Sequence, residues 1–261
     1  MKYEAVTTCH LAGWQLYGRR MAKSFAMHWP AEIQLSVYAE GFTPDSTIVP
    51  VHRARRLPIW LEKFKARHCT DLRMNGLGGH KYNMLFDAVR FSHKVGAVID
   101  MAERQFEEGR GGVLIWLDAD TVTHSSVASG FLDRLADWPA TALAWLNRVK
   151  KYPECGCVMF NLDHPATRSL ITTWKTLYTE DRFLLLDHWT DCHTLEAAVS
   201  ATNAPWASLS GAHAGLGHPF INGPLGSIMD HLKGDRKRLG KSTRYDLKAR
   251  RLEPYWKGVR R

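Results

Sequence analysis

The sequence predicts an α/β fold with a mostly parallel central sheet flanked by helices, and three observations predict it. Strand, helix and strand patterns follow one another within the first forty residues. A long amphipathic helix pattern runs from Tyr82 to Phe106, and just after it the apolar run 113–117 (Val-Leu-Ile-Trp-Leu) has no polar face. A continuous run of that kind suits a strand covered on both sides.

Residues 3–9 form the first strand-like run, and Trp14, Leu16, Tyr17, Met21 and Phe25 then recur at helical spacing until Pro30 stops the helix. Ile33, Leu35, Val37 and Ala39 alternate with polar neighbours in the period of a strand, which Glu40 and Gly41 close. Strand, helix, strand is the order that brings two strands parallel. Residues 42–80 are irregular, with Pro44, Pro50 and Pro58, a basic cluster from His52 to Arg56 and a loop from Asn75 to Gly79; they read as an insertion or an acceptor-side excursion. In the long helix Val89, Val95, Val98, Ile99, Ala102 and Phe106 lie near one face, and Gly109 to Gly112 breaks it. Strands are expected over 141–146 and 155–161. A helix is expected over 165–178, with its stripe at Leu170, Ile171, Trp174, Leu177 and Tyr178. With no internal repeat or low-complexity segment, residues 1–241 are expected to form one domain and residues 242–261 a basic tail.

The 261 residues are 45% hydrophobic and 23% charged, which excludes disordered and fibrous chains. Five cysteines, an odd number scattered over a large chain, indicate reduced thiols and a cytoplasmic location. No stretch approaches the ~20 apolar residues of a membrane span, and Thr7, Thr8 and His10 interrupt any signal-peptide core, so contact with a membrane is expected to be peripheral at most. The net charge of +9 is concentrated at one end: residues 232–261 carry twelve Lys and Arg against three acids, and the remainder is balanced at 23 of each sign. That imbalance implies an anionic partner such as a glycan, a lipid-linked glycan or nucleic acid, with Tyr245, Tyr255 and Trp256 available for stacking.

Asp118 and Asp120 stand just past the carboxyl end of the buried strand, the edge at which open α/β sheets bind ligands. Residues i and i+2 of an extended chain point the same way, so both carboxylates can face one hard divalent cation. Capping of the following turn by Asp118 is the other reading. Late in the chain, His231, Gly234 and Lys237 combine a nitrogen ligand, a flexible backbone and a compact positive charge, or else form a solvated basic turn.

An apolar strand ending in Asp-x-Asp, with a late His-x-x-Gly-x-x-Lys, resembles the metal-dependent glycosyltransferases of the GT-A fold. It is most similar to glycosyltransferase family 8, which includes glycogenin and bacterial galactosyltransferases. The family motif continues with Pro-Trp where this chain has Arg238 and Leu239. The resemblance implies a hexosyl- or pentosyltransferase that takes a nucleoside-diphosphate sugar, uridine-linked, as donor. Manganese or magnesium would be held by Asp118, Asp120 and His231, with Gly234 and Lys237 at the diphosphate. It further implies nucleotide contacts for Thr7, Thr8 and Glu40 at the ends of the first two strands, and for the helical pair Arg90 and Lys94.

Glu154-Cys155-Gly156-Cys157 and Trp189-Thr190-Asp191 resemble the sugar-contacting elements of such enzymes. If the reaction inverts the anomeric centre, Asp191 or Glu154 is the base that takes the acceptor proton; Asp191 as the N-cap of a helix over 193–199 is the alternative. The single Cys-x-Cys lacks the second pair that a zinc site needs. The histidine- and glycine-rich stretch from His188 to Gly223 reads as a mobile loop over substrate or as a surface connection. Three further functions stay open: a glycosyltransferase acting on modified DNA bases, a noncatalytic nucleic-acid-binding protein on a degenerate transferase scaffold, and a nucleotidyltransferase. Against the last, the chain start lacks a Gly-rich, Arg-containing triphosphate loop.

Overall fold

The computed structural model describes residues 1–44 and 53–259, so Pro50 and His52 of the expected basic excursion lie outside the described residues. β1 (Tyr3–His10) leads through α1 (Leu11–Gly13) and a π-helical turn (Trp14–Gly18) into α2 (Arg19–His28), and the chain returns as β2 (Gln34–Glu40). The wide turn is closely packed: a Cβ on Gly13 would stand 2.7 Å from the Tyr17 ring.

The stretch that reads as irregular contains an edge strand, β3 (Arg53–Arg55), and a helix, α3 (Ile59–His68). Pro58 precedes that helix rather than breaking it, and only Leu61 and Phe64 are buried, too sparse a stripe to register as periodicity. The long helix α4 (Ala88–Glu107) begins later than its apolar pattern, because the Asp87 carboxylate accepts from the Arg90 N–H at 3.1 Å and caps it there.

β4 (Val113–Leu117) and β5 (Thr121–Thr123) follow, then α5 (Ser129–Asp133), β6 (Leu143–Arg148) and β7 (Lys151–Asn161). The chain continues with α6 (Pro165–Thr179), α7 (Asp191–Thr202), β8 (Trp206–Ser208), α8 (Pro219–Asn222), β9 (Met229–His231) and α9 (Arg236–Leu239). Residues 188–223, expected as a loop or surface connection, thus hold α7, β8 and α8, and Phe220 and Ile221 are fully buried.

Seven strands form one sheet in the order β3-β2-β1-β4-β7-β6-β8, parallel except for β7, which runs against both of its neighbours. Apolar cores fill both faces, one built with α2 and α8, the other with α3, α4, α6 and α7. That double cover is why β4 is apolar throughout. β5 and β9 form a separate antiparallel pair in which Thr121 lies opposite His231.

Residues 242–259 run along the body. Ser242 donates to Asp230 from its amide at 2.8 Å and its hydroxyl at 2.6 Å, and the Tyr255 hydroxyl donates to the same carboxylate at 2.8 Å. Trp256 is buried in the core, its indole N–H on the Gly226 carbonyl at 2.8 Å, while Tyr255 stacks on His124 with ring centroids 4.1 Å apart. Among the described residues no helix is long and apolar enough to cross a membrane.

Candidate functional site

The β5–β9 register brings the two motifs together. Asp118 and Asp120 occupy the turn between β4 and β5, and the pairing of Thr121 with His231 sets the imidazole beside that turn. Leu232 N–H closes the pairing on the Asp120 carbonyl at 2.9 Å. His231 Nε2 stands 3.2 Å from Asp120 Oδ1 and 3.4 Å from Asp118 Oδ2, although 111 residues separate the ring from the nearer acid in sequence. Glu154 Oε1 holds the other ring nitrogen, Nδ1, at 3.1 Å. Room for the ring comes from Gly156, where a Cβ would meet the imidazole at 2.6 Å.

A cleft of about 600 Å³ opens over this cluster at the carboxyl ends of β1, β2 and β4. Thr8, Glu40, Arg90, Lys94, Asp118, Asp120, Glu154, Asp191, His231, Gly234 and Lys237, all singled out in the sequence, line it. Thr7 does not. Its side chain is buried one residue short of the strand end at which Thr8, Cys9 and His10 reach the cleft.

The cluster is a lattice of opposed charges. Lys94, buried on α4, reaches Asp118 at 3.1 Å and Asp191 at 2.7 Å. Lys237 pairs with Asp120 at 2.8 Å and Lys233 with Glu154 at 2.9 Å. Asp118 also accepts from the Trp116 indole at 2.8 Å, so its side chain serves the cleft and leaves the turn to a backbone bond from Thr121. Burial by itself would push Asp118, Asp120, Glu154, Asp191, Lys94 and His231 toward neutrality. Lys94 and His231 outweigh it at Asp118, and His231 and Lys237 at Asp120, so both carboxyls are held below their usual range. His231 and Lys233 do the same for Glu154. His231 in turn is held well above its ordinary value by Asp120, Asp118 and Glu154 against the effect of burial. Asp191 differs: burial outweighs the pull of Lys94, and its pKa is raised.

At the nucleotide edge expected from the sequence, the Thr8 hydroxyl lies 2.8 Å from the Tyr38 carbonyl and 3.0 Å from Glu40 Oε1, and Glu40 pairs with His93. Arg90, one turn before Lys94, donates to the Tyr82 hydroxyl at 3.1 Å. Asp191 is the first residue of α7, and its N-cap is Thr190. Several cleft residues escaped the sequence reading. His93 carried a signal, since it shares a helix face with Arg90 at i+3. Lys233 stands beside a flagged glycine. Tyr17, Arg148 and Tyr152 carried none, because the π-helical turn and the β6–β7 hairpin that deliver them have no local signature.

No protein-family model and no curated protein matches the sequence. Among solved structures, mouse xyloside xylosyltransferase 1 in its apo form is similar with a TM-score of 0.50 at 12% identity, over 80% of this chain and 85% of that one. The glycosyltransferase GlyE of Streptococcus pneumoniae TIGR4 gives 0.43 at 12% identity, over 80% and 45%. Galactosyltransferase LgtC, in complex with donor and acceptor sugar analogs, gives 0.49 at 13% identity, over 79% and 74%. With the strand order above, the first of these likenesses makes the architecture that of the GT-A fold.

Proposed function

We propose that the chain is a glycosyltransferase of the family 8 kind. In this reading it moves a sugar from a uridine diphosphate sugar to a hydroxyl acceptor, with manganese or magnesium held by Asp118, Asp120 and His231. The observation that carries the reading is the β5–β9 register, which sets a nitrogen donor against two strand-end carboxylates under a cleft.

The donor set fits such an ion. One oxygen or nitrogen from each of the three residues lies within 4.8 Å of the others, and a mixed carboxylate and imidazole set suits a hard to borderline divalent metal. A ligating imidazole normally has its second nitrogen held by a carboxylate, a backbone carbonyl or water, the place Glu154 takes here. When bound, the cation supplies positive charge opposite the diphosphate as the glycosidic bond breaks.

The chain's own residues supply positioning and charge. Lys237, now on Asp120, is free to turn to the phosphates once Asp120 has a metal partner. Gly234, at φ +56 with open space around its Cβ position, lets the backbone approach them. Thr8, Glu40 and His93 form a polar edge suited to the nucleoside. If the reaction inverts the anomeric centre, Asp191 is the better suited of the two carboxyls as base, because its pKa is raised by burial whereas that of Glu154 is held down by His231 and Lys233. A retaining reaction needs neither as a base.

The polyanion-binding reading of the C-terminal charges has less support. Lys233, Lys237 and Arg236 pair with carboxylates, and Lys241 and Arg251 are engaged by backbone carbonyls.

Hydrolysis of a panel of uridine diphosphate sugars without acceptor, with manganese and with chelator, tests the proposal. Metal-dependent release of uridine diphosphate is the expected result. Full activity of Asp120→Ala in the presence of chelator overturns it.

A further inference from the structure

The charges on the cleft wall are unequally matched. Asp118, Asp120, Glu154, Asp191 and Glu40 each face a lysine or an imidazole. Arg148, on the same wall, has no carboxylate partner among the described residues, yet it is held firmly in place. Its Nε donates to the Tyr152 carbonyl at 2.8 Å, and its guanidinium lies 4.6 Å from the centroid of the Tyr152 ring. That ring is backed by His193, with centroids 3.9 Å apart.

The surroundings reinforce the positive field. Lys150 in the adjoining turn and Lys151 at the start of β7 are exposed. His193 is pushed down to about 4 by burial and by the nearby His188 and Arg148, and Asp187 acts on His193 without pairing with Arg148. A guanidinium pinned through Nε, with its terminal nitrogens paired to no acid among the described residues, is a fork suited to a carboxylate or phosphate from outside.

Strand order decides which substrate that is. The nucleotide edge lies on β1 and β2, and the acidic pair that faces the diphosphate follows β4. Arg148 ends β6, two strands beyond β4 in the sheet and so about 10 Å further along. A nucleoside diphosphate laid from β2 to β4 ends short of it. Tyr152 and Glu154, two apart on β7, both line the cleft, with Glu154 at the His231 side and Tyr152 at the Arg148 side, which puts Arg148 past the transferred sugar.

We propose that Arg148 anchors a carboxylate or phosphate of the acceptor, so that the acceptor is an acidic sugar. This rests on the transferase reading above, and the test separates the two. The full chain, loaded with uridine diphosphate and manganese, is titrated calorimetrically with methyl glucoside, methyl glucuronide and glucose 6-phosphate. One of the charged sugars is expected to bind at least about tenfold more tightly than the neutral one, and which of them does so distinguishes carboxylate from phosphate. Arg148→Met is expected to erase that preference, and Arg148→Lys, which keeps charge without the fork, to retain part of it. If the Met variant does not melt cooperatively, the Lys variant carries the comparison.

Equal binding of the three sugars by the wild type, or a full preference in the variants, overturns the proposal. Donor hydrolysis by the wild type without any preference for charged sugars removes the acceptor assignment alone. A charge preference that depends on Arg148, without metal-dependent donor hydrolysis, removes the transferase reading and leaves an anion site.

Discussion

Carboxylates lie on both sides of β9, a cluster in the cleft and a single buried aspartate behind it, and they are satisfied in opposite ways. In the cleft, Asp118, Asp120 and Glu154 are neutralised by Lys94, Lys237, Lys233 and His231. Behind it, Asp230, fully buried and one residue before His231, is held by an amide and two hydroxyls from Ser242 and Tyr255. A charged side-chain partner can turn to an incoming ion or phosphate, whereas neutral donors fixed in packed chain cannot. The first arrangement suits a working site, the second a permanent attachment, and β9 joins them.

The comparison is sharpened most by Asp120→Ala. Donor hydrolysis should fall about a thousandfold, or ~4 kcal/mol in the barrier, while the denaturation midpoint moves little; a large stability loss with intact activity would reverse the assignment of the two sides. On the other side, Trp256→Ala should cost about 3 kcal/mol of stability in urea titrations, because it empties a core position and frees the Gly226 carbonyl.

His124, stacked on Tyr255, gives the attachment a pH dependence. Burial is the main cause of its fall to about 4 from an ordinary 6.5. The unfolded chain therefore binds the proton first, and the stability present above pH 6.5 is lost as pH falls towards 4. The loss is up to about 2 kcal/mol after allowance for partial exposure, and His124→Gln should flatten it in melts across that range. The smallest effect is expected from Tyr255→Phe, about 1 kcal/mol, since Ser242 still serves Asp230. If this variant shifts manganese affinity as well as stability, the two sides of β9 are coupled through the strand.

Much of the site is legible in the chain because its acidic half is local. Asp118 and Asp120 follow a run whose apolar character announces a buried strand, and Arg90 and Lys94 share a face by helical period alone. Residues such as Arg148 and Tyr152 are not legible, since a hairpin at the far side of the sheet delivers them. α3 escapes because two buried side chains in ten residues make no stripe. The C-terminal segment reads as a charged tail because its attachment depends on Trp256, Tyr255 and Ser242 finding partners about 12 to 30 positions away.

Local patterning was enough for the sheet-and-helix class, the order of most elements and the acidic pair, because these depend on neighbours a few residues apart. Only the folded chain could decide that His231 faces that pair and that the basic end is docked. Each of those outcomes is a contact between distant segments, selected by strand register and by the burial of a few large side chains.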